Sequence, residues 1–275
     1  MSHAPATPRS SGLHSADRSV DPSSRLRFLD VEGAKPAMRL AKQCSFDRLD
    51  IHQGARILDI GCGAGDDTRV LAGLVGAGGQ VVGVDVEPMM VAEAEKRSAG
   101  LGLPVEFRLA SVYDLDDADR AFDGCRAERV FLHLAEPERA LAQMVRVVRA
   151  GGRVVVLDRD IETRTIDGPD RALTRRIVNF WCDSFLGGWI GRRLPRLFRE
   201  AGLSDITIEP FTVIDADYAA FDAQYDLTRV VRRAEAAGVI GSDEGAAWLA
   251  RLEESGQAGS FFTSVTNFVA SGRKP

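Results

Sequence analysis

From Ala55 onward the chain alternates two patterns: short runs of nearly continuous apolar residues, and longer segments in which apolar residues recur every three or four positions. The first pattern fits strands buried on both faces, and the second fits helices with one buried stripe. The runs are ARILDI (55–60), QVVGVD (80–85), VEFRLA (105–110), AFDGCRA (121–127) and RVVVLD (153–158). Between them, Asp66, Asp67 and Thr68 can cap a helix through Val70, Leu71 and Leu74 that stops at the glycines 76, 78 and 79. Pro88 opens a second helix through Met89, Met90, Ala92 and Ala94, ending at Gly100. Pro137 opens a third with Leu141, Met144, Val145 and Val148 on one face, closed by Gly151 and Gly152. This alternation predicts an α/β fold, a doubly wound, mostly parallel sheet with helices on both faces.

The second half breaks the rhythm. Residues 168–200 read as helical and carry Phe180, Trp181, Phe185 and Trp189; DITIEPFTVI (205–214) reads as a sixth strand. Residues 215–257 are again helical, with Tyr218, Phe221 and Tyr225 on one spacing and Trp248, Leu249 and Leu252 on another. SFFTSVTNFVASG (260–272) alternates apolar with small polar residues, as an edge strand does, and brings the sheet to seven strands. Insertions at about 165–200 and 215–257 are expected to form a helical lid on a single domain spanning 25–275. Leu26 to Leu49 reads as one or two short helices, and residues 1–24, rich in Ser, Pro and Ala, as a mobile leading segment.

Composition narrows the partners. Among 275 residues the formal net charge is −5, and no basic block exceeds the Arg192-Arg193 pair, so a nucleic-acid partner is not expected. Arg192, Arg193, Arg196 and Arg199 are read as the solvated face of an amphipathic helix. Cys44, Cys62, Cys125 and Cys182 are too scattered for a disulfide framework or a zinc site, so no metal is expected. No apolar stretch reaches bilayer-spanning length, and the expected location is cytoplasmic.

The chemistry concentrates in ILDIGCGAGDDT (57–68). In an open parallel sheet, ligands bind beyond the carboxyl ends of the strands, and the turn after the first strand lies at such an end. Gly61, Gly63 and Gly65 let the chain bend sharply and let a ligand approach the backbone. A dinucleotide turn reads GxGxxG; this one reads GCGAG, followed by Asp66 and Asp67 and preceded by Asp59. Acids repel a pyrophosphate but suit a ligand carrying an ammonium and a sulfonium, which describes S-adenosylmethionine. Asp85 ends the second strand, 20 residues beyond Gly65, where an acid can accept bonds from both ribose hydroxyls. The rival readings are a nicotinamide-dependent oxidoreductase and a non-catalytic, cofactor-binding regulator.

On these residues the chain resembles the class I S-adenosylmethionine-dependent methyltransferases, and within them the small-molecule branch that includes the ubiquinone and menaquinone biosynthesis C-methyltransferases. RILDIGCGAGDDT resembles the cofactor loop, VVGVDVEPMM the ribose-binding strand end, and PERALAQMVRVVRAGGRVVVLD the helix, turn and strand that close the core. The resemblance implies a Rossmann-like methyltransferase fold, S-adenosylmethionine as donor and S-adenosylhomocysteine as product. It also implies that Asp59, Gly61, Gly63 and Gly65 meet the methionine part, Asp85 the ribose, and Val86 and Met90 the adenine, with Cys62 a further cofactor-binding residue. Family members usually carry an acid at the end of strand three; Ser111 stands there, so Ser111 or the backbone of Val112 takes the adenine contact.

Methyl transfer is an in-line displacement, accelerated chiefly by alignment in a desolvated site, with a base useful when the nucleophile carries a proton. His133, Glu128 and Asp158 are the candidates for that role, Arg126 a further cofactor-side residue. Each has a plainer reading: packing for His133, an ion pair for Arg126 with Glu128, a solvated strand-end acid and a turn former for Asp158 and Asp160, helix capping for Asp66 and Asp67. Phe180, Trp181, Phe185 and Trp189 are either core or the wall of a substrate site. The expected acceptor is a small, largely apolar, aromatic or isoprenoid metabolite, methylated at carbon or alternatively at oxygen or nitrogen, and the protein is a possible homo-oligomer.

Overall fold

The computed structural model describes residues 22–275, so the mobile segment expected at 1–24 lies almost wholly outside the described residues. The apolar runs form β1 (Arg56–Ile60), β2 (Gln80–Asp85), β3 (Val105–Leu109), β4 (Phe122–Glu128) and β5 (Val148–Ile166), which join β6 (Ser204–Asp215) and β7 (Thr263–Arg273) in one sheet. The order is β3-β2-β1-β4-β5-β7-β6. β1 to β5 pair in parallel, whereas β7 runs antiparallel to both β5 and β6. Neighbouring residues of one strand serve opposite cores, as a period of two requires. Ile57 and Val81 pack with Met38 and Leu71; Leu58 and Val82 pack with Met144 and Phe198.

The helices α2 (Pro36–Asp47) and α3 (Asp66–Val75) cover the first face, and α5 (Pro137–Val147) and α7 (Leu194–Glu200) the second. α4 (Pro88–Ser98) packs against β2 and β3. A third core joins α6 (Arg171–Asp183), α8 (Tyr218–Tyr225), α9 (Leu227–Ala236) and α10 (Ser242–Gln257) around Trp181, Phe221 and Trp248. α1 (Pro22–Ala34) precedes α2. Among the described residues no helix is long and apolar enough to cross a membrane.

Four expectations change. β7 is an inner strand, and β6 takes the edge. The small polar residues of β7 that resembled an exposed edge face inward: Thr263, Asn267 and Ser271 are buried, and Asn267 and Thr263 accept bonds from arginines of β5. β5 continues through Asp158 to Ile166, because β7 supplies it with a partner beyond the parallel region. α5 ends at Val147, so Gly151 and Gly152 belong to the start of β5 rather than to the helix end. α7 belongs to the core on the sheet, not to the helical group above it, since Leu194, Leu197 and Phe198 are buried against the second face.

Candidate active site

Beyond Ile60 the chain turns through Gly61, Gly63 and Gly65, all with positive φ (66°, 53° and 76°). At Gly61 a side chain is excluded twice over: by the left-handed conformation, and by Val130, whose Cγ2 lies 2.4 Å from where a Cβ would stand. The turn is fastened from β2. Asp85 accepts hydrogen bonds from the Gly63 amide at 2.9 Å through one oxygen and from the Glu87 amide at 2.9 Å through the other. Burial raises the Asp85 carboxyl above its ordinary value, and the amides oppose that rise. Cys62 donates its amide to Val84 O at 3.0 Å, and burial pushes its thiol well up.

These residues border a cavity of about 930 Å³, near the upper end of the range for small-molecule sites. Val86, Met90, Ser111 and Val112 line one side of it. The Ser111 hydroxyl accepts from the Tyr113 amide at 3.2 Å.

Behind the turn lies a buried cluster of charge. The Arg126 guanidinium donates to Asp59 at 3.3 Å, Asp67 at 2.8 Å, Glu128 at 2.6 Å and the Ser45 hydroxyl at 2.9 Å. Asp59 also accepts from Thr68 at 2.7 Å, and Lys42 reaches Asp67 at 2.9 Å and Glu128 at 3.5 Å. Burial and then the neighbouring Glu128 push Asp67 up to about 7. Despite its burial, Glu128 is held well below the usual carboxylate range by hydrogen bonding with Asp67 and by the charges of Lys42 and Arg126. Arg126 thus organises the acids of the site, and Asp67 is part of this cluster rather than only a helix cap.

The three base candidates separate. His133, in a 3-10 turn over Phe131–His133, borders the cavity with its ring 5.9 Å from that of Phe185. Glu128 borders it too, but is engaged by Arg126, Lys42 and, at 3.2 Å, Arg129. Asp158 does not border it. Its carboxylate is 0% exposed and accepts from the Leu132 amide at 3.2 Å and the Arg159 amide at 2.8 Å, bracing the turn that carries His133. Burial pushes Asp158 up to about 7. Asp160, expected in a solvated turn, is also fully buried, and Arg192 grips it with Nε at 2.6 Å and Nη2 at 2.9 Å. Arg192 is exposed, as expected, but lies in a 3-10 turn ahead of α7 with its head anchored to Asp160.

Of the four aromatics, Trp181 and Phe185 line the cavity. Phe180 sits at the margin of the third core, one position round the helix from Trp181, and Trp189, beyond the end of α6, is 52% exposed. Neither borders the cavity.

One part of the lining was not anticipated. Phe28 of α1, Arg159 and Arg164 of β5, and Tyr225 of α8 border the cavity. Glu32, fully buried, accepts from Arg159, from the Tyr225 hydroxyl at 3.0 Å, from Gln224 at 2.8 Å and from Lys35 at 3.2 Å. Despite burial, Arg159, Arg129 and Lys35 hold its carboxyl well below the ordinary value. The only signal in the sequence was the unusual density of charge in DRDIETR, where charged side chains occupy what proves to be a buried strand.

Comparison with known proteins agrees with this geometry. A family described as a methyltransferase domain matches residues 51–202. An uncharacterized 37.1 kDa protein in transposon TN4556 of Streptomyces fradiae is 37% identical over 243 residues, 88% of this chain and 69% of that one. Demethylmenaquinone methyltransferase of Bacillus cytotoxicus is 28% identical over 181 residues, 60% of this chain and 76% of that one. Some other curated relatives are matched over only 40% and 51% of their own length. A geranyl diphosphate methyltransferase structure in complex with SAM shares the fold with a TM-score of 0.55 at 15% identity, over 94% of this chain and 93% of that one.

Proposed function

Since the chain belongs to the class I S-adenosylmethionine-dependent methyltransferases, we propose that it methylates a small, largely apolar acceptor lying between the glycine turn and the wall formed by Trp181 and Phe185. Carbon is the first choice of accepting atom, with oxygen and nitrogen as alternatives. The observation that carries this reading is a single cavity of about 930 Å³ in which the glycine turn and the aromatic wall share one space. A relative named for demethylmenaquinone supports an acceptor of this class.

The residues suit the cofactor. Asp85 presents a carboxylate with lone pairs beyond those given to Gly63 and Glu87, suited to ribose hydroxyls. Val86, Met90 and Val112 offer apolar contact for an adenine, with Ser111 beside them. The turn amides suit a carboxylate, and Asp59, fixed by Arg126 and Thr68, suits an ammonium. S-adenosylmethionine, when bound, supplies a methyl group made electrophilic by its sulfonium. Trp181 and Phe185 exclude water from the transfer and orient a flat or branched acceptor against the turn. His133 is the base we assign where the acceptor must lose a proton, since Glu128 is held in the charge cluster and Asp158 lies off the cavity.

Isothermal calorimetry with S-adenosylmethionine, S-adenosylhomocysteine and NADH, followed by a S-adenosylhomocysteine-release assay over apolar phenols, quinols and prenyl compounds, tests the reading. Micromolar binding of the two sulfur ligands with turnover on one acceptor class is expected. Turnover confined to polar, charged-headgroup amines would overturn the acceptor assignment.

A further inference from the structure

Arg164, near the end of β5, borders the same cavity as the glycine turn and is fully buried, with no acidic partner in ion-pair range among the described residues. Its Nη1 donates to the Thr263 hydroxyl at 3.3 Å, while Nε and Nη2 have no hydrogen-bond partner. Three rings enclose the guanidinium, with centroids 4.6 Å (Trp181), 5.1 Å (Tyr225) and 5.2 Å (Phe221) from Cζ. Ring faces attract the charge but supply no acceptor in its plane. The Tyr225 hydroxyl donates to Glu32 and accepts from Arg159, and although Tyr225 and Glu32 favour the charge of Arg164, Glu32 is itself matched by Arg159 and Lys35 and lies outside ion-pair range of Arg164. A buried guanidinium remains ionised, and leaving it without a counter-charge is costly.

The two vacant nitrogens, Nε and Nη2, form one edge of the guanidinium. Arg192 uses that same edge to hold both oxygens of Asp160. A second planar carboxylate, not supplied by the chain, would complete Arg164 in the same way. Trp181 and Tyr225, whose rings face the guanidinium, border the cavity together with Arg164.

We propose that Arg164 is a carboxylate-recognition residue of the acceptor site, so that the acceptor is an apolar body carrying a carboxylate. This rests on the methyltransferase reading and narrows its acceptor class.

The test uses the full chain loaded with S-adenosylhomocysteine and a matched pair of probes, 4-butylbenzoate and the neutral 4-butylbenzamide, with 4-butylphenyl phosphate as a third. Calorimetry is expected to show the acid binding about tenfold or more tighter than the amide. Arg164→Met removes that preference, Arg164→Lys keeps part of it, and S-adenosylhomocysteine affinity is unchanged in both. Equal binding of acid and amide, no binding of the acid, a preference that survives Arg164→Met, or tighter binding of the phosphate than of the acid would each overturn the proposal. If Arg164→Met does not fold, the acid-to-amide ratio of the wild type and of Arg164→Lys decides. Failure of S-adenosylhomocysteine to bind the wild type would instead overturn the underlying reading.

Discussion

Asp85 and Gly63 are joined by a hydrogen bond of 2.9 Å from the glycine amide to the carboxylate, which locks the end of β2 to the turn after β1. One acid thereby shapes the backbone of the turn while presenting its remaining lone pairs to the cavity. Asp85→Ala is expected to weaken S-adenosylmethionine binding by about 1.5–3 kcal/mol, the worth of hydrogen bonds to a charged group. Calorimetry checks this, and unchanged affinity would remove Asp85 from the ribose contact.

His133 borders the cavity, whereas Asp158 acts on it only through the turn it braces. His133→Ala should lower kcat about 10²-fold or more where the acceptor loses a proton, with S-adenosylhomocysteine affinity intact. Steady-state kinetics on such an acceptor decide the matter: wild-type turnover assigns His133 to packing beside Phe185.

Asp158 makes stability depend on pH. Its carboxyl is raised to about 7 by burial, so between the ordinary value of 3.8 and about 7 the folded state binds a proton that the unfolded state has released. The stabilisation is therefore complete below about pH 4 and is lost as pH rises through 7, amounting to roughly 4 kcal/mol at most. Asp67 titrates in the same direction, so the informative quantity is the difference between Asp158→Asn and wild type. Urea unfolding from pH 4 to 8 should show the variant gaining on the wild type as pH rises; a constant difference would contradict the assignment.

Glu32 fastens α1 to β5 and α8 through Arg159, Tyr225 and Gln224. Glu32→Ala leaves Arg159 buried without its counter-charge and should cost about 3–5 kcal/mol. Denaturant unfolding measures the loss, and hydrogen exchange should show α1 losing protection before the sheet does.

The local part of this molecule was legible in its residues. Apolar runs specify β1 and β2 because a strand buried on both faces needs no polar alternation, and three closely spaced glycines after Asp59 specify the sharp turn that follows β1. Asp85 was legible for the same reason, being a single acid at the end of an apolar run. What the tertiary structure decided is which polar residues are buried and what they meet. Asp158 and Asp160 look alike beside an apolar run, yet one braces the turn of His133 and the other receives Arg192 from 32 positions away. Glu32 meets Arg159 across 127 positions, and the insertion of β7 between β5 and β6 carries Arg159 and Arg164 into the interior. Periodicity records which face of an element is apolar, but the pairing of buried charges depends on which distant elements pack against that face, and no local pattern encodes it.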